Sequence, residues 1–233
     1  MTLLSHIQDV CDNVGLSRPS AVITSGETKV RQLLALSNKV GRNMARRHPW
    51  TALNREFTHT TLAAEFQGLV ESIMTGYNWA LNQTFWNRSQ QDHAFGPLSP
   101  MQWQANKAVT YSGPFQEFRI KEKGLYLYPA PPAGETFAGE YVSRYWCESS
   151  GGTDQDKWAA DTDVMILDEH LLTLGVIAEW LKSKGLPYAE AMRDYEFQLA
   201  DAIIKDGAKP VLSLGQSDYY QPSIRAPEGS WSV

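Results

Sequence analysis

Residues 161–207 have the sequence DTDVMILDEHLLTLGVIAEWLKSKGLPYAEAMRDYEFQLADAIIKDG, and this stretch decides the fold. Its apolar residues recur every three or four positions in two separate runs, which is the spacing of one helix face. The Gly-Leu-Pro triplet at 185–187 separates the runs, and Gly207 follows the second one. Such a short break between the two runs predicts two antiparallel helices, over 164–184 and 188–206, that pack as a hairpin.

The first fifty residues predict two more helices. Apolar residues repeat with helical spacing over 3–14 and over 27–48. Gly15 supplies a stop for the first helix, and the pair Thr24 and Glu27 matches the capping box that opens many helices. We expect these two helices to share one hydrophobic core with the C-terminal pair.

The middle of the chain changes from helical spacing to strand spacing. Alternating residues over 55–62 predict a strand, and the proline at 100 predicts the first turn of a short helix. Three further strands are predicted to form a β-meander, over 115–121, 125–128 and 136–146.

Together these patterns predict an α+β protein, with a helical bundle core from the N- and C-terminal helices and a β-rich insertion between them. The predicted units are a helical core (1–54 and 155–207), a β-rich insertion with a short helix (55–154) and an extended C-terminal arm (208–233). The arm carries three prolines among glycine and serine, so we expect it to be disordered until it binds a partner. Its predicted docking anchors are Leu212, Leu214, Tyr219, Tyr220, Ile224 and Trp231.

Composition and short motifs argue against most enzyme classes. The formal net charge is −5, which does not indicate a nucleic-acid or membrane-surface protein. No run approaches the roughly 18 apolar residues that a membrane span needs. Phosphate-binding glycine loops, the hydrolase elbow and metal-ligand spacings do not occur, and Cys11 lies far from Cys147. We therefore expect no catalytic residues, no metal, no cofactor and no membrane partner.

Two groups of side chains are candidates for a binding surface. Five basic residues would either line a channel for DNA or, as we favour, be solvated helix ends: Arg42, Arg46, Arg47, Arg88 and Lys107. Five aromatic residues would either build the core and subunit interfaces, which we favour, or form a stacking platform: Tyr77, Trp79, Phe85, Trp86 and Trp103.

Five stretches, taken in order, carry a resemblance to a known family. They are TLLSHIQDVCDNVGL (2–16), VRQLLALSN (30–38) with ARRHPW (45–50), FGPLSPMQW (95–103), LYLYPAPPAG (125–134), and LDEHLL (167–172) through KGLPYAE (184–190). In this order they resemble the head-to-tail adaptor proteins of tailed bacteriophages, also called tail accessory or head completion proteins, especially those of short-tailed phages. None of the stretches is a catalytic signature.

The resemblance implies a non-enzymatic structural protein of the virion neck, assembled in the host cytoplasm. Proteins of this family form a dodecameric ring below the portal protein, extend the DNA exit channel and receive the next tail component, a nozzle or tube protein. Expected partners are therefore further copies of the chain, the portal, that tail component and, non-specifically, DNA during ejection. The residues leave open an alternative: a soluble enzyme, such as a glycan-cleaving one, or a glycan-binding protein of the tail region, with its site among the middle aromatics.

Overall fold

The computed structural model describes residues 1–81, 83–108 and 116–207, and in these ranges long helices at both ends of the chain enclose a middle rich in antiparallel strands. The helices are α1 (Leu3–Val14), α2 (Thr28–Arg47), α3 (Val70–Ile73), α4 (Pro100–Ala108), α5 (Glu169–Ser183) and α6 (Ala189–Lys205), with a 3-10 turn at Thr51–Leu53. The strands are β1 (Asn54–Thr60), β2 (Phe66–Leu69), β3 (Tyr77–Ala80), β4 (Trp86–Asn87), β5 (Asp92–His93), β6 (Glu117–Lys121), β7 (Gly124–Tyr128), β8 (Thr136–Ser143), β9 (Cys147–Glu148), β10 (Asp154–Gln155) and β11 (Val164–Met165). The predicted mixed α+β class is confirmed.

The ends of the long helices follow local chemistry. At the start of α1 the Thr2 hydroxyl accepts a hydrogen bond from the Ser5 N–H, and Gly15 ends that helix in the left-handed region at φ 70°. The capping box predicted for α2 is wrong, because the N-cap residue is Glu27 and not Thr24, and Glu27 makes no side-chain cap bond. The Glu27 N–H donates to the Ser25 hydroxyl at 3.2 Å. α5 begins five residues later than the predicted 164, because Val164 opens a strand.

α5 is the central helix and contacts α1, α2 and α6. All four helices contribute to one hydrophobic cluster, which includes Ile7, Leu33, Met44, Leu171, Val176 and Leu199. Gly175 permits the close approach of α2 to α5, since a Cβ there would lie 2.6 Å from the Val40 Cγ1 atom. Trp146 and Cys147, from the predicted insertion, pack in the same cluster. Both cysteines are buried.

β8 is the centre of the largest sheet. It pairs with β1 along its length, from Asn54 opposite Val142 to Thr60 opposite Thr136, and its other edge pairs with β3 and β4. The second hydrophobic cluster lies against this sheet and includes Phe57, Phe85, Phe118, Phe137 and Tyr141.

The predicted β-meander is wrong in its third strand. β6 and β7 form the expected hairpin, but β8 leaves them and pairs with β1. The second edge of β7 is occupied by β2, which gives the sheet order β2-β7-β6. Prolines at 129, 131 and 132 follow β7 and prevent a tight turn back onto it. β7 is the central strand of this sheet and is five residues long.

The stretch from 149 to 154 is part of a small sheet. The Ser149 N–H donates to the Thr153 carbonyl at 2.8 Å and closes a turn between β9 and β10. In the described ranges no helix has the length and apolar character needed to cross a membrane. The predicted arm at 208–233, with all six of its anchors, lies outside the described residues.

Candidate nucleic-acid interface

One exposed face of α2 carries a line of basic side chains. Arg31, Lys39, Arg42 and Arg46 are all exposed and follow one another by eight, three and four residues, which keeps them on one side of the helix. We call this set the basic stripe. At 1.5 Å per residue, its length from Arg31 to Arg46 is about 22 Å.

Most of the basic stripe is not neutralised within the described chain. Lys39 Nζ lies 2.7 Å from Glu179 Oε2, a carboxylate only 18% exposed. Arg31, Arg42 and Arg46 form no ion pair with any residue that the structure describes, and Arg42 Nε donates to the Asn38 carbonyl of its own helix at 3.1 Å. Three guanidinium groups are thus available for an anionic partner.

Arg47, the next residue along α2, has a different environment. Its guanidinium donates to both oxygens of Glu196, at 2.6 and 3.3 Å, and so joins α2 to α6. The two side chains are 53% and 42% exposed, so solvent screening limits the pair to at most about 1 kcal/mol. The carboxylate occupies the donors that a phosphate would need.

Arg88 lies away from the other three arginines. Its backbone N–H donates to the carbonyl of Thr136, the first residue of β8. Val142, near the other end of β8, packs in the helical cluster. Six residue steps along a strand cover about 20 Å. The Arg88 side chain forms an ion pair with Glu56 of β1. The structure therefore brings Arg42 and Arg46 together, sets Arg47 beside them in an ion pair, and separates Arg88.

Arg31 and Lys39 of the basic stripe were not among the predicted site residues. Arg46 and Arg47 were, because cations in the last turns of a helix suit its dipole. Spacing along the helix could have identified Arg31 and Lys39. Arg31 and Arg42 lie about three full helical turns apart, so their side chains project on the same side.

The five middle aromatics do not form one platform. Phe85 and Trp103 are 0% and 1% exposed, and the ring of Phe85 stacks on Phe118 with centroids 4.1 Å apart. The core interpretation is confirmed for these two. Tyr77 and Trp79 are half-buried on β3. Trp86 is half-buried and lines a cleft of about 480 Å³ together with Thr84, Arg88, Gln91 and Ala138.

Burial shifts the pKa of several described side chains. Burial raises the pKa of Cys147 to about 12 and also raises the pKa of Cys11, so the thiolate needed for nucleophilic attack is disfavoured at both. Burial likewise raises the pKa of Tyr195, beside the Arg47–Glu196 pair, to about 12. Across the parts of the chain that the structure describes, no group of three His, Cys, Asp or Glu side chains is placed to hold a metal ion.

Comparison with known proteins gave no match, either to a protein-family model or to a curated protein sequence. The function is therefore inferred from the basic stripe and from the elements around it.

Proposed function

We propose that the chain is a structural virion protein, a head-to-tail adaptor. It forms a dodecameric ring below the portal, extends the DNA channel and presents the attachment surface for a nozzle or tail tube protein. The observation that carries this proposal is the basic stripe: three arginines without an ion pair among the described residues, aligned on one helix of a chain whose net charge is −5.

The basic stripe suits DNA of any sequence. Duplex DNA carries one negative charge per about 1.7 Å of its axis, so a stripe of about 22 Å lies beside many phosphates. Arginine contacts to phosphate hold the duplex without reading its bases. A channel through which a whole genome passes needs this kind of contact, and Arg42 and Arg46 supply it here.

The arrangement of the helices supports the same proposal. We assign α1, α2, α5 and α6 to the helical bundle core expected of an adaptor, since all four contribute buried side chains to one hydrophobic cluster. The β-rich middle lies between them in the sequence, as in the predicted organisation.

The point at which the predicted arm begins is held firmly. Asp206 Oδ1 accepts a hydrogen bond from the Thr51 hydroxyl at 2.6 Å, and Oδ2 accepts one from the Thr51 N–H at 3.0 Å. The same Oδ2 atom lies 3.0 Å from His48 Nε2. This contact, which we call the Asp206 latch, ties the end of α6 to the corner between α2 and β1. We propose that residues 208–233, which follow this latch in the sequence, bind the portal through Leu212, Leu214, Tyr219, Tyr220, Ile224 and Trp231.

Neutralising the basic stripe tests the DNA contact. We expect Arg42→Gln with Arg46→Gln to impair DNA retention or ejection in particles whose rings assemble normally. In a DNA-binding titration of purified rings, the slope of log K against log salt should fall by roughly one for each phosphate that the variant no longer binds. The matched control is Arg88→Gln with Arg144→Gln, which removes the same charge from arginines already paired with Glu56 and Glu71. Equal effects in both variants, or a failure of ring assembly in the first, would place these arginines in a structural contact instead.

Deleting residues 208–233 tests the portal contact. We expect the truncated chain to keep the melting temperature of the full chain and to lose attachment to purified portal rings. A variant that keeps the arm but replaces its six anchors with serine separates the contribution of the apolar side chains from that of arm length. Attachment that survives the deletion would assign portal binding to another surface.

One observation favours a second candidate, a glycan-binding protein of the tail region. The cleft beside Trp86 combines an aromatic ring with the polar side chains of Arg88 and Gln91, a combination found in many small-molecule sites. If this candidate is right, oligosaccharides will bind to the parent chain on a glycan array and will not bind to the Trp86→Ala variant. Equal results for the two proteins would remove it.

A further inference from the structure

A polar pocket lies between the turn that joins β4 to β5 and the proline-rich loop that follows β7. Its volume is about 440 Å³, and its lining includes Gln90, Asp92, Gln116, Glu135 and the loop residues 129–132. We call it the Glu135 pocket. Among the described residues that line it, two carry a carboxylate and none is basic.

Glu135 places a buried negative charge in this pocket. The residue is 8% exposed, and its Oε2 atom accepts a hydrogen bond from Asn87 Nδ2 at 2.7 Å. Its Oε1 atom accepts one from Gln90 Nε2. Asn87 Nδ2 also donates to Gln116 Oε1 at 3.1 Å, so the carboxylate lies between two side chains of the pocket lining. Buried charges in proteins are normally paired with an opposite charge, and amide hydrogen bonds alone do not supply one.

The described chain does not supply the missing cation, because neither carboxylate of the pocket forms an ion pair with a residue that the structure describes. Nearby, Arg88 pairs with Glu56, and burial lowers the pKa of His93, so its ring carries no charge at pH 7. Arg119 of β6 pairs with neither carboxylate. The stretch 109–115, outside the described residues, has the sequence VTYSGPF and contains no basic residue.

The hydrogen-bonding positions that remain on the Glu135 carboxylate specify the kind of cation. An ionised carboxylate can accept about four hydrogen bonds, and Glu135 accepts two, one on each oxygen. Each oxygen therefore has an acceptor position left. Three of the residues 129–132 are prolines, which have a carbonyl but no N–H, so this wall of the pocket adds acceptors and few donors.

A guanidinium group matches this arrangement. It presents two parallel N–H donors, one for each carboxylate oxygen, whereas an ammonium group is a compact point charge without that geometry. We propose that the Glu135 pocket binds a guanidinium group, with Glu135 as its bidentate partner and Asp92 as a second carboxylate beside it. The group belongs either to an arginine side chain of a partner protein or to a small molecule. Binding requires only the folded chain, so the site and the adaptor function stand or fall separately.

An NMR titration of the isotope-labelled full chain tests the site. The probe is N-acetyl-arginine methylamide, and its matched control is the citrulline derivative, in which a neutral urea replaces the guanidinium. We expect the arginine probe to shift the side-chain amide signals of Gln90 and Gln116 and the citrulline probe to leave them in place. Equal shifts from the two probes, or none from the arginine probe, would overturn the proposal.

A charge-removing variant gives a second readout. Glu135→Gln should weaken binding of the arginine probe about tenfold or more, because it removes the charge from both hydrogen bonds. The matched control is Glu140→Gln, which removes the same charge from an exposed residue of the same strand, β8, and should bind like the parent chain. Equal affinity of the parent and Glu135→Gln chains would overturn the proposal. The citrulline comparison needs no variant, so the proposal stays testable if Glu135→Gln does not fold.

Further titrations identify the source of the group. Agmatine that binds as tightly as the arginine probe would support the pocket and assign it to a small guanidinium compound. Tighter binding of the arginine probe would support it and assign an arginine side chain of a partner. Binding that appears only after deletion of 208–233 would support it and assign Arg225 of the same chain. Displacement of the arginine probe by Ca²⁺ at equal concentration would assign the pocket to a metal ion and overturn the proposal.

Discussion

Substituting alanine for Gly41 sets two energetic effects against each other on α2. A Cβ at this position would lie 2.6 Å from three ring atoms of Trp146, about 1 Å closer than an ordinary carbon contact. Alanine favours the helical state over glycine by about 1 kcal/mol, so without the clash the change would stabilise the chain. The sign of the result depends on whether the indole ring can move away.

The surroundings of Trp146 prevent that movement. The ring is 0% exposed, its N–H donates to the Asp156 carbonyl at 2.9 Å, and Trp158 packs edge-on against it with centroids 4.9 Å apart. Trp158 is held in turn, because its own N–H donates to the Ser37 hydroxyl, one turn before Gly41 on α2. The overpacking cost should therefore lie near the upper end of its usual range, about 3 kcal/mol.

The expected net effect of Gly41→Ala is a loss of about 2 kcal/mol in the free energy of unfolding, the overpacking cost less the helix-propensity gain. For a chain of this size that is a fall in Tm of about 4–8 °C. Urea unfolding followed by circular dichroism measures the first quantity, and calorimetry measures the second. The control is the same substitution in a Trp146→Phe background, where the smaller ring should make Gly41→Ala neutral or stabilising. Stabilisation by Gly41→Ala in the parent chain would refute the reasoning, because it would show that Trp146 yields.

Two further predictions concern buried groups in the same cluster. Leu171 is 2% exposed, so Leu171→Asp buries an unpaired carboxylate and should cost several kcal/mol in urea unfolding, while His170→Asp, at the exposed neighbour, should cost little; equal stability of the two variants would show that the core is wrongly assigned. Burial, with a smaller contribution from the positive N-terminus, lowers the pKa of His6 to about 4, so the unfolded chain binds a proton that the folded chain does not. Stability should be complete above about pH 6.5 and should fall by up to about 3 kcal/mol towards pH 4, and His6→Gln should flatten that part of the curve; a slope that survives the substitution would assign it to other groups.

Local patterns predicted the helices well, because each helix is specified by residues close together in the chain. The spacing from Leu3 to Val14, with Gly15 behind it, is sufficient for α1, and Gly185 at φ 69° separates α5 from α6 as the sequence suggested. Strand pairing was less predictable. β8 pairs with β1, some eighty residues away, and the alternating apolar pattern of each strand does not specify which strand it pairs with.

The candidate site likewise has one part that local sequence predicts and another that depends on distant residues. The arginines of α2 could be recognised as one group because a helix places residues three and four apart on one side. Whether each charge is free depends on a distant segment: Glu196 neutralises Arg47 and Glu179 neutralises Lys39, and both carboxylates come from the other end of the chain. Arg88 resembled the others only in residue type.

β8 belongs to both hydrophobic clusters, and this has a mechanical consequence. Val142 is buried with the helices, whereas Tyr141, the residue before it, is buried in the second cluster with Phe137. Successive residues of a strand project to opposite faces of the sheet, so β8 separates the two clusters and contributes side chains to both. A displacement of β8 by one cluster is therefore transmitted directly to the other, through a backbone that is held by its hydrogen bonds to β1.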